Sequence, residues 1–152
     1  MNRAGRSEKI AFEQVLLHRY ALSPVNRPGH LDRSIFIILS RIHDQGPMTI
    51  GELSAAFGLD VSTLNRQTAS ALRQGLLERL PATNECIARR FGLTPAGQSA
   101  LDSQHEIVVA VLDQVMSTWS DHDVTEFGCY LERFNLELEK RTGRHWPRHP
   151  QN

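Results

Sequence analysis

The stretch Met48–Asp60, MTIGELSAAFGLD, limits what this chain can fold into more than any other. Thr49 and Glu52 stand three residues apart in the T-x-x-E pattern of a capping box, in which each side chain satisfies a backbone N–H of the other's residue. Met48 and Leu53 flank them at the spacing of a hydrophobic staple. The helix this opens is short, running through Leu53, Ala56 and Phe57 to Gly58, a residue suited to the left-handed conformation that ends helices. Asp60 then offers a new N-cap. Val61, Leu64, Thr68, Ala71, Leu72 and Leu76 give the next helix an apolar inner face, with Gly75 at or near its end. Two short helices therefore meet at a glycine turn.

The flanking chain supplies four further helices and a hairpin. Ser7 is placed to cap a first helix carrying Ile10, Val15, Leu16, Leu17 and Tyr20, which should end before Ser23-Pro24. The segment SPVNRPGH reads as a loop. Ile35, Phe36, Ile38, Leu39 and Ile42 form the stripe of a second, largely buried helix from about Asp32 to Asp44, closed by Gly46-Pro47. After the turn pair, Leu76, Leu77 and Leu80, then Ile87, Phe91 and Leu93, predict two strands around the polar tip PATNE. Thr94-Pro95 opens a long fifth helix expected to reach Trp119. Ser120 starts a sixth, stapled by Trp119 and Val124, in which Val124, Phe127, Leu131, Phe134 and Leu138 repeat at steps of three and four. That seam invites helix pairing. The tail 143–152, with two prolines and no apolar period, is expected to be loosely ordered.

This order is mainly α, a winged helix-turn-helix of six helices plus a short β-hairpin wing. The helix after Gly58 presents Ser62, Thr63, Asn65, Arg66, Gln67, Ser70, Arg73 and Gln74 on or near its outer side. A helix fits the major groove of DNA, where Asn or Gln pairs with adenine and Arg with guanine, while Ser and Thr hold phosphates near the helix N-terminus. Arg89 and Arg90 lie near the wing, and arginine is drawn to the negative potential of a narrow minor groove. The plainer alternative is a polar face that is only the wet side of an amphipathic helix.

Charge agrees with the nucleic-acid reading only when taken by segment. The 152 residues carry a formal net charge of zero, but residues 61–95 sum to +3 and residues 96–140 to −7. A neutral molecule can thus present one basic face. With 40% hydrophobic and 22% charged residues the chain is globular, and no apolar run approaches the length of a membrane helix. The start MNRAGRSEK leads into an amphipathic stretch and not a signal-peptide core, so a cytoplasmic location without membrane contact is expected.

The segments TIGELSAAFGLDVSTLNRQTASALRQGLLER and LTPAGQSAL, with the order of six helices and a wing between the fourth and fifth, resemble the MarR family of bacterial transcriptional regulators over about residues 8–142. The resemblance implies one domain, with a DNA-binding lobe over about 32–95 and dimerisation helices over about 7–22 and 96–142. It implies a homodimer binding a pseudopalindromic operator in double-stranded DNA, usually as a repressor released by a ligand. It also carries recognition-helix roles to Ser62, Thr63, Asn65, Arg66 and Gln67, by their places in DVSTLNRQ. Family wings commonly hold an Asp-x-Arg pattern; here the corresponding residues are Glu85-Cys86-Ile87, and Arg89 or Arg90 stands nearby instead.

Small aromatic or phenolic acids often bind such dimers between the dimer helices and the DNA-binding lobe. His18, Tyr20, His30, Arg33, Phe36 and Arg41 are the candidate neighbours of such a cleft, with core and interface roles as their plainer reading. The seven histidines are dispersed and the two cysteines match no ligand spacing, so no metal or other cofactor is expected. Cys86 is a candidate redox thiol, because Arg89 and Arg90 would lower its pKa; Cys129 lies in the sixth helix. No phosphate loop, nucleophile elbow or H-E-x-x-H motif suggests an enzyme. Two other functions fit the same fold: a winged-helix interaction module without DNA binding, and a thiol-based switch.

Overall fold

The computed structural model describes residues 3–20, 30–82 and 87–148. Among them are six helices and three strands: α1 Arg3–Arg19, α2 Arg33–Gln45, β1 Met48–Thr49, α3 Ile50–Phe57, α4 Val61–Arg73, β2 Leu77–Leu80, β3 Arg90–Leu93, α5 Pro95–Val115 and α6 Asp121–Thr142. Residues 1–30, with α1, form one compact unit and residues 31–152 a second. Arg3 and Ala4 are fair helix formers, so α1 begins ahead of Ser7, which lies within the helix and does not cap it.

In the second unit the local signals set the boundaries. Asp32 caps α2, its carboxylate accepting the Ser34 N–H at 2.8 Å. At α3 both halves of the capping box form: Glu52 N–H donates to Thr49 Oγ1 at 3.2 Å, and Thr49 N–H donates to Glu52 Oε2 at 2.7 Å. Gly58 ends α3 in the left-handed region (φ 63°). Asp60 occupies the N-cap of α4 but its side chain makes no cap hydrogen bond. Its charge still lies at the favourable end of the helix dipole.

The core joins Ile35, Ile38, Leu39 and Ile42 of α2 to Met48, Leu53, Leu64, Ala71, Leu76, Leu77, Phe91 and Leu101. Burial of each large member is worth about 1.5–3 kcal/mol. Helices α2, α3 and α4 thus share one apolar cluster.

The wing is a three-stranded antiparallel sheet in the order β1-β3-β2, not a bare hairpin. The third strand is the two-residue β1, Met48 pairing with Phe91 and Thr49 with Arg90. β2 ends at Leu80, opposite Arg90, because Pro81 has no N–H to extend the ladder. Ile87 consequently lies outside the strand and is 91% exposed.

Thr94 ties this sheet to α5. Its Oγ1 donates to the Gly75 carbonyl at 2.6 Å and accepts the Gly97 N–H at 2.9 Å, while its N–H donates to the Leu76 carbonyl at 3.2 Å. α5 stops at Val115, short of Trp119, since Ser117 and Thr118 favour turns over helix interiors. Ser120 then caps α6, accepting the Asp123 N–H at 3.1 Å.

Gly143–Arg148, the part of the tail within the described residues, depart from the loose order expected of 143–152. Gly143 ends α6 in the left-handed region, and Arg144–Arg148 run back against α2 and α3 instead of hanging loose. The indole of Trp146, absent from any helical period, provides the anchor.

Candidate nucleic-acid interface

Helix α4 buries Leu64, Thr68 and Ala71, spaced three and four apart, and this fixes which residues face outward. Ser62, Asn65, Arg66 and Arg73 are exposed, and Thr63, Gln67 and Ser70 are half-buried. The buried Thr68 hydroxyl donates to the Leu64 carbonyl at 2.8 Å, so it needs no outside partner. Gln74 Nε2 donates to Ser70 Oγ at 3.2 Å. Gln67 borders a groove of about 460 Å³ shared with Arg33, Ile37, Phe57 and Leu59. The outer face carries two cations and no acid, so it offers hydrogen bonds without repelling phosphate.

The two arginines assigned to the wing separate. Arg89 is exposed and lines a groove of about 550 Å³ with Thr49, Gly51, Arg79 and Phe91. Arg90 is half-buried in the central strand, paired on one side with Thr49 and on the other with Leu80. Arg79, one of the basic residues behind the +3 of residues 61–95 but outside the candidate wing contacts, joins Arg89. The alternation of β2 does not announce its exposure, since Arg79 shares the parity of buried Leu77. Cys86 and Glu85 lie outside the described residues.

Of the six candidate effector neighbours, the three in the second unit border different surfaces of the single chain. Arg33 borders the groove beside α4, whereas Phe36 lines a separate cavity of about 430 Å³ with His43, Leu101 and His105. Arg41 is buried beneath Trp146. His18, Tyr20 and His30 belong to the first unit; His18 and Tyr20 are exposed, and His18 Nδ1 lies 2.8 Å from the Gln14 carbonyl oxygen. Among the described residues, no three His, Cys, Asp or Glu side chains converge as a metal site, and no helix is long and apolar enough to cross a membrane. Cys129 is an exposed free thiol on α6.

Residues 31–86 match the family model described as the MarR family. The chain is 30% identical over 109 residues to an uncharacterized HTH-type transcriptional regulator, YxaD, of Bacillus subtilis (strain 168), a match covering 72% of this chain and 76% of that protein. Among solved structures, a MarR family protein from Bacillus stearothermophilus superposes with a TM-score of 0.75 at 22% identity, over 91% of this chain and 98% of that one. A mutant MarR from E. coli complexed with operator DNA superposes with a TM-score of 0.57 at 22% identity, over 86% and 91%. With its winged helix-turn-helix and a relative at this identity and coverage, the chain belongs to the MarR family of HTH-type transcriptional regulators.

Proposed function

We propose that this chain is a sequence-specific DNA-binding repressor that acts as a homodimer in the cytoplasm. The supporting observation is the outer face of α4, where Ser62, Asn65, Arg66 and Arg73 stand clear of a core that holds the helix rigidly from behind. Thr63, Gln67 and Ser70 supplement that face. Arg66 reads a base edge, Ser62 and Thr63 hold phosphates at the helix N-terminus, and Arg79 and Arg89 contact the backbone or minor groove beside it.

Exposed apolar residues support the dimer. Ile10, Phe12, Val15 and Leu17 on α1 and Phe127, Leu131, Phe134 and Leu138 on α6 are all exposed in the single chain. A second copy would cover them. A two-fold dimer sets two α4 helices against successive major grooves about 34 Å apart, matching a pseudopalindromic operator. A small aromatic or phenolic acid would act as effector in the groove beside α4, where Arg33 offers a cation and Phe57 a ring. It shifts the equilibrium only if it binds one spacing of the helices better than the other.

Fluorescence anisotropy of the full chain on DNA from upstream of its own coding sequence, against a scrambled duplex across a salt series, tests the reading. A tighter, salt-sensitive preference for the native DNA is expected. Failure of a folded dimer to bind either duplex would favour an interaction module.

A further inference from the structure

Helix α6 has no buried residue. Its seam residues Phe127, Leu131, Phe134 and Leu138 are between 42% and 46% exposed, so packing within its own chain does not fix its direction. At its start, Trp119 meets Phe127 edge-on with centroids 5.5 Å apart. At its other end, about 33 Å away for 22 residues, a denser set of contacts returns to the helix-turn-helix.

Gly143 (φ 68°) turns the chain there, and the residues after it lie on α2 and α3. Trp146 Nε1 donates to Asp44 Oδ2 at 2.7 Å. The Arg41 guanidinium sits 5.0 Å from the centre of the Trp146 ring and donates to the His145 carbonyl at 2.8 Å, while its Nε donates to Gln45 Oε1 at 2.9 Å. A cation over an indole face is attractive, more so when partly desolvated. Phe57, at the end of α3, meets the same ring with centroids 6.1 Å apart. The Arg144 guanidinium covers Gly58, so that a Cβ added to the glycine would fall on it. In the last turns of α6, Glu139 accepts hydrogen bonds from both terminal guanidinium nitrogens of Arg148 and from the Trp146 N–H. These contacts reach α2, α3 and the turn leading into α4.

We propose that Gly143–Arg148 are a strap that fixes the far end of α6 to the helix-turn-helix, so that a displacement of α6 is carried to the recognition helix. The transmission follows from the core. Arg41 and Asp44 ride on the same helix as Ile38, Leu39 and Ile42, which share one apolar cluster with Leu64 and Ala71 of α4, and close-packed interiors transmit strain. The effect on DNA rests on the regulator reading above; the hold on α6 does not.

The experiment measures the distance between α6 and α4 by electron-spin resonance. One nitroxide is placed on the native Cys129 and another on Gln74→Cys, in a Cys86→Ser background, and the labelled protein is diluted into excess unlabelled chain so that only pairs within one chain are read. The full-length chain should give one narrow distribution. Trp146→Ala and a chain ending at Thr142 should both broaden it, while Trp146→Phe, which keeps an aromatic face but loses the donor to Asp44, should fall between. An equally narrow distribution in a folded truncated chain overturns the strap.

On operator DNA the truncated chain should bind about tenfold more weakly, as expected if the binding-competent arrangement falls to about a tenth of the population. Unchanged or tighter binding alongside a broadened distribution overturns the transmission to α4. If the full-length chain itself binds no DNA, the regulator reading fails while the distance measurement still decides the strap.

Discussion

Gly97, in the first turn of α5, lies so close to the Leu76 carbonyl that a Cβ on it would fall on that oxygen. The contact closes the junction at which Thr94 bonds to both Gly75 and Leu76, locking the end of the helix-turn-helix to the start of α5. Gly97→Ala should therefore separate α5 from the sheet and cost about 1–3 kcal/mol, the usual range for overpacking. Urea denaturation should show a lower midpoint with an unchanged slope. A midpoint equal to wild type would mean that the junction relaxes freely.

The capping box at Thr49 and Glu52 makes a smaller and more local claim. Thr49→Ala removes the acceptor for the Glu52 N–H and should cost about 1 kcal/mol, whereas Thr49→Ser should recover most of it. Thermal melts of the two variants under one buffer decide this, and equal destabilisation by both would contradict the cap.

How much could be read from the sequence depended on how far apart the partners lie. The caps of α3, α5 and α6 each involve residues three apart, so their chemistry was visible in the string, whereas Ser7 falls inside α1 and the Asp60 side chain makes no cap bond. So was the buried stripe of α4, from its period. The pairing of Met48 with Phe91, the Gly97–Leu76 approach and the Trp146–Asp44 bond join residues tens of positions apart and leave no periodic trace. The tail seemed featureless for that reason: Trp146 has no apolar neighbours in sequence, only in space. At the candidate interface, the outward set on α4 followed from the same period. That Arg79 and Arg89 line one groove depended on how β2 and β3 pair, with Arg79 opposite Phe91, and did not.

For DNA binding, α4 and the wing should separate by the kind of loss. Arg66→Ala should weaken operator binding by about 1–3 kcal/mol through a lost base contact, with less effect on scrambled DNA. An Arg79→Ala, Arg89→Ala double variant should weaken both duplexes alike and lower the slope of log affinity against log salt by nearly two units, about 0.9 for each phosphate contact. Salt titrations of the three proteins on both duplexes give both answers. An unchanged slope would take the wing off the contact surface.

Glu139 gives the strap a dependence on acid. The hydrogen bonds from Arg148 hold its carboxyl down at about 2, with the Trp146 N–H, Arg148 charge and His145 adding to the effect against the opposing cost of desolvation. A carboxylate whose pKa is lowered by folding contributes stability that is fully present above its unfolded value, about 4.3, and is lost as pH falls from there through about 2. In a Trp119→Phe background, where Trp146 is the one indole, its emission should hold steady from neutral pH to about 5. It should then move to longer wavelength on further acidification, as the strap lets go and the ring enters water. Glu139→Gln should show the shifted emission already at neutral pH, with no added transition until the helices melt by circular dichroism. If the two emission titrations superimpose, Glu139 does not hold the strap in place.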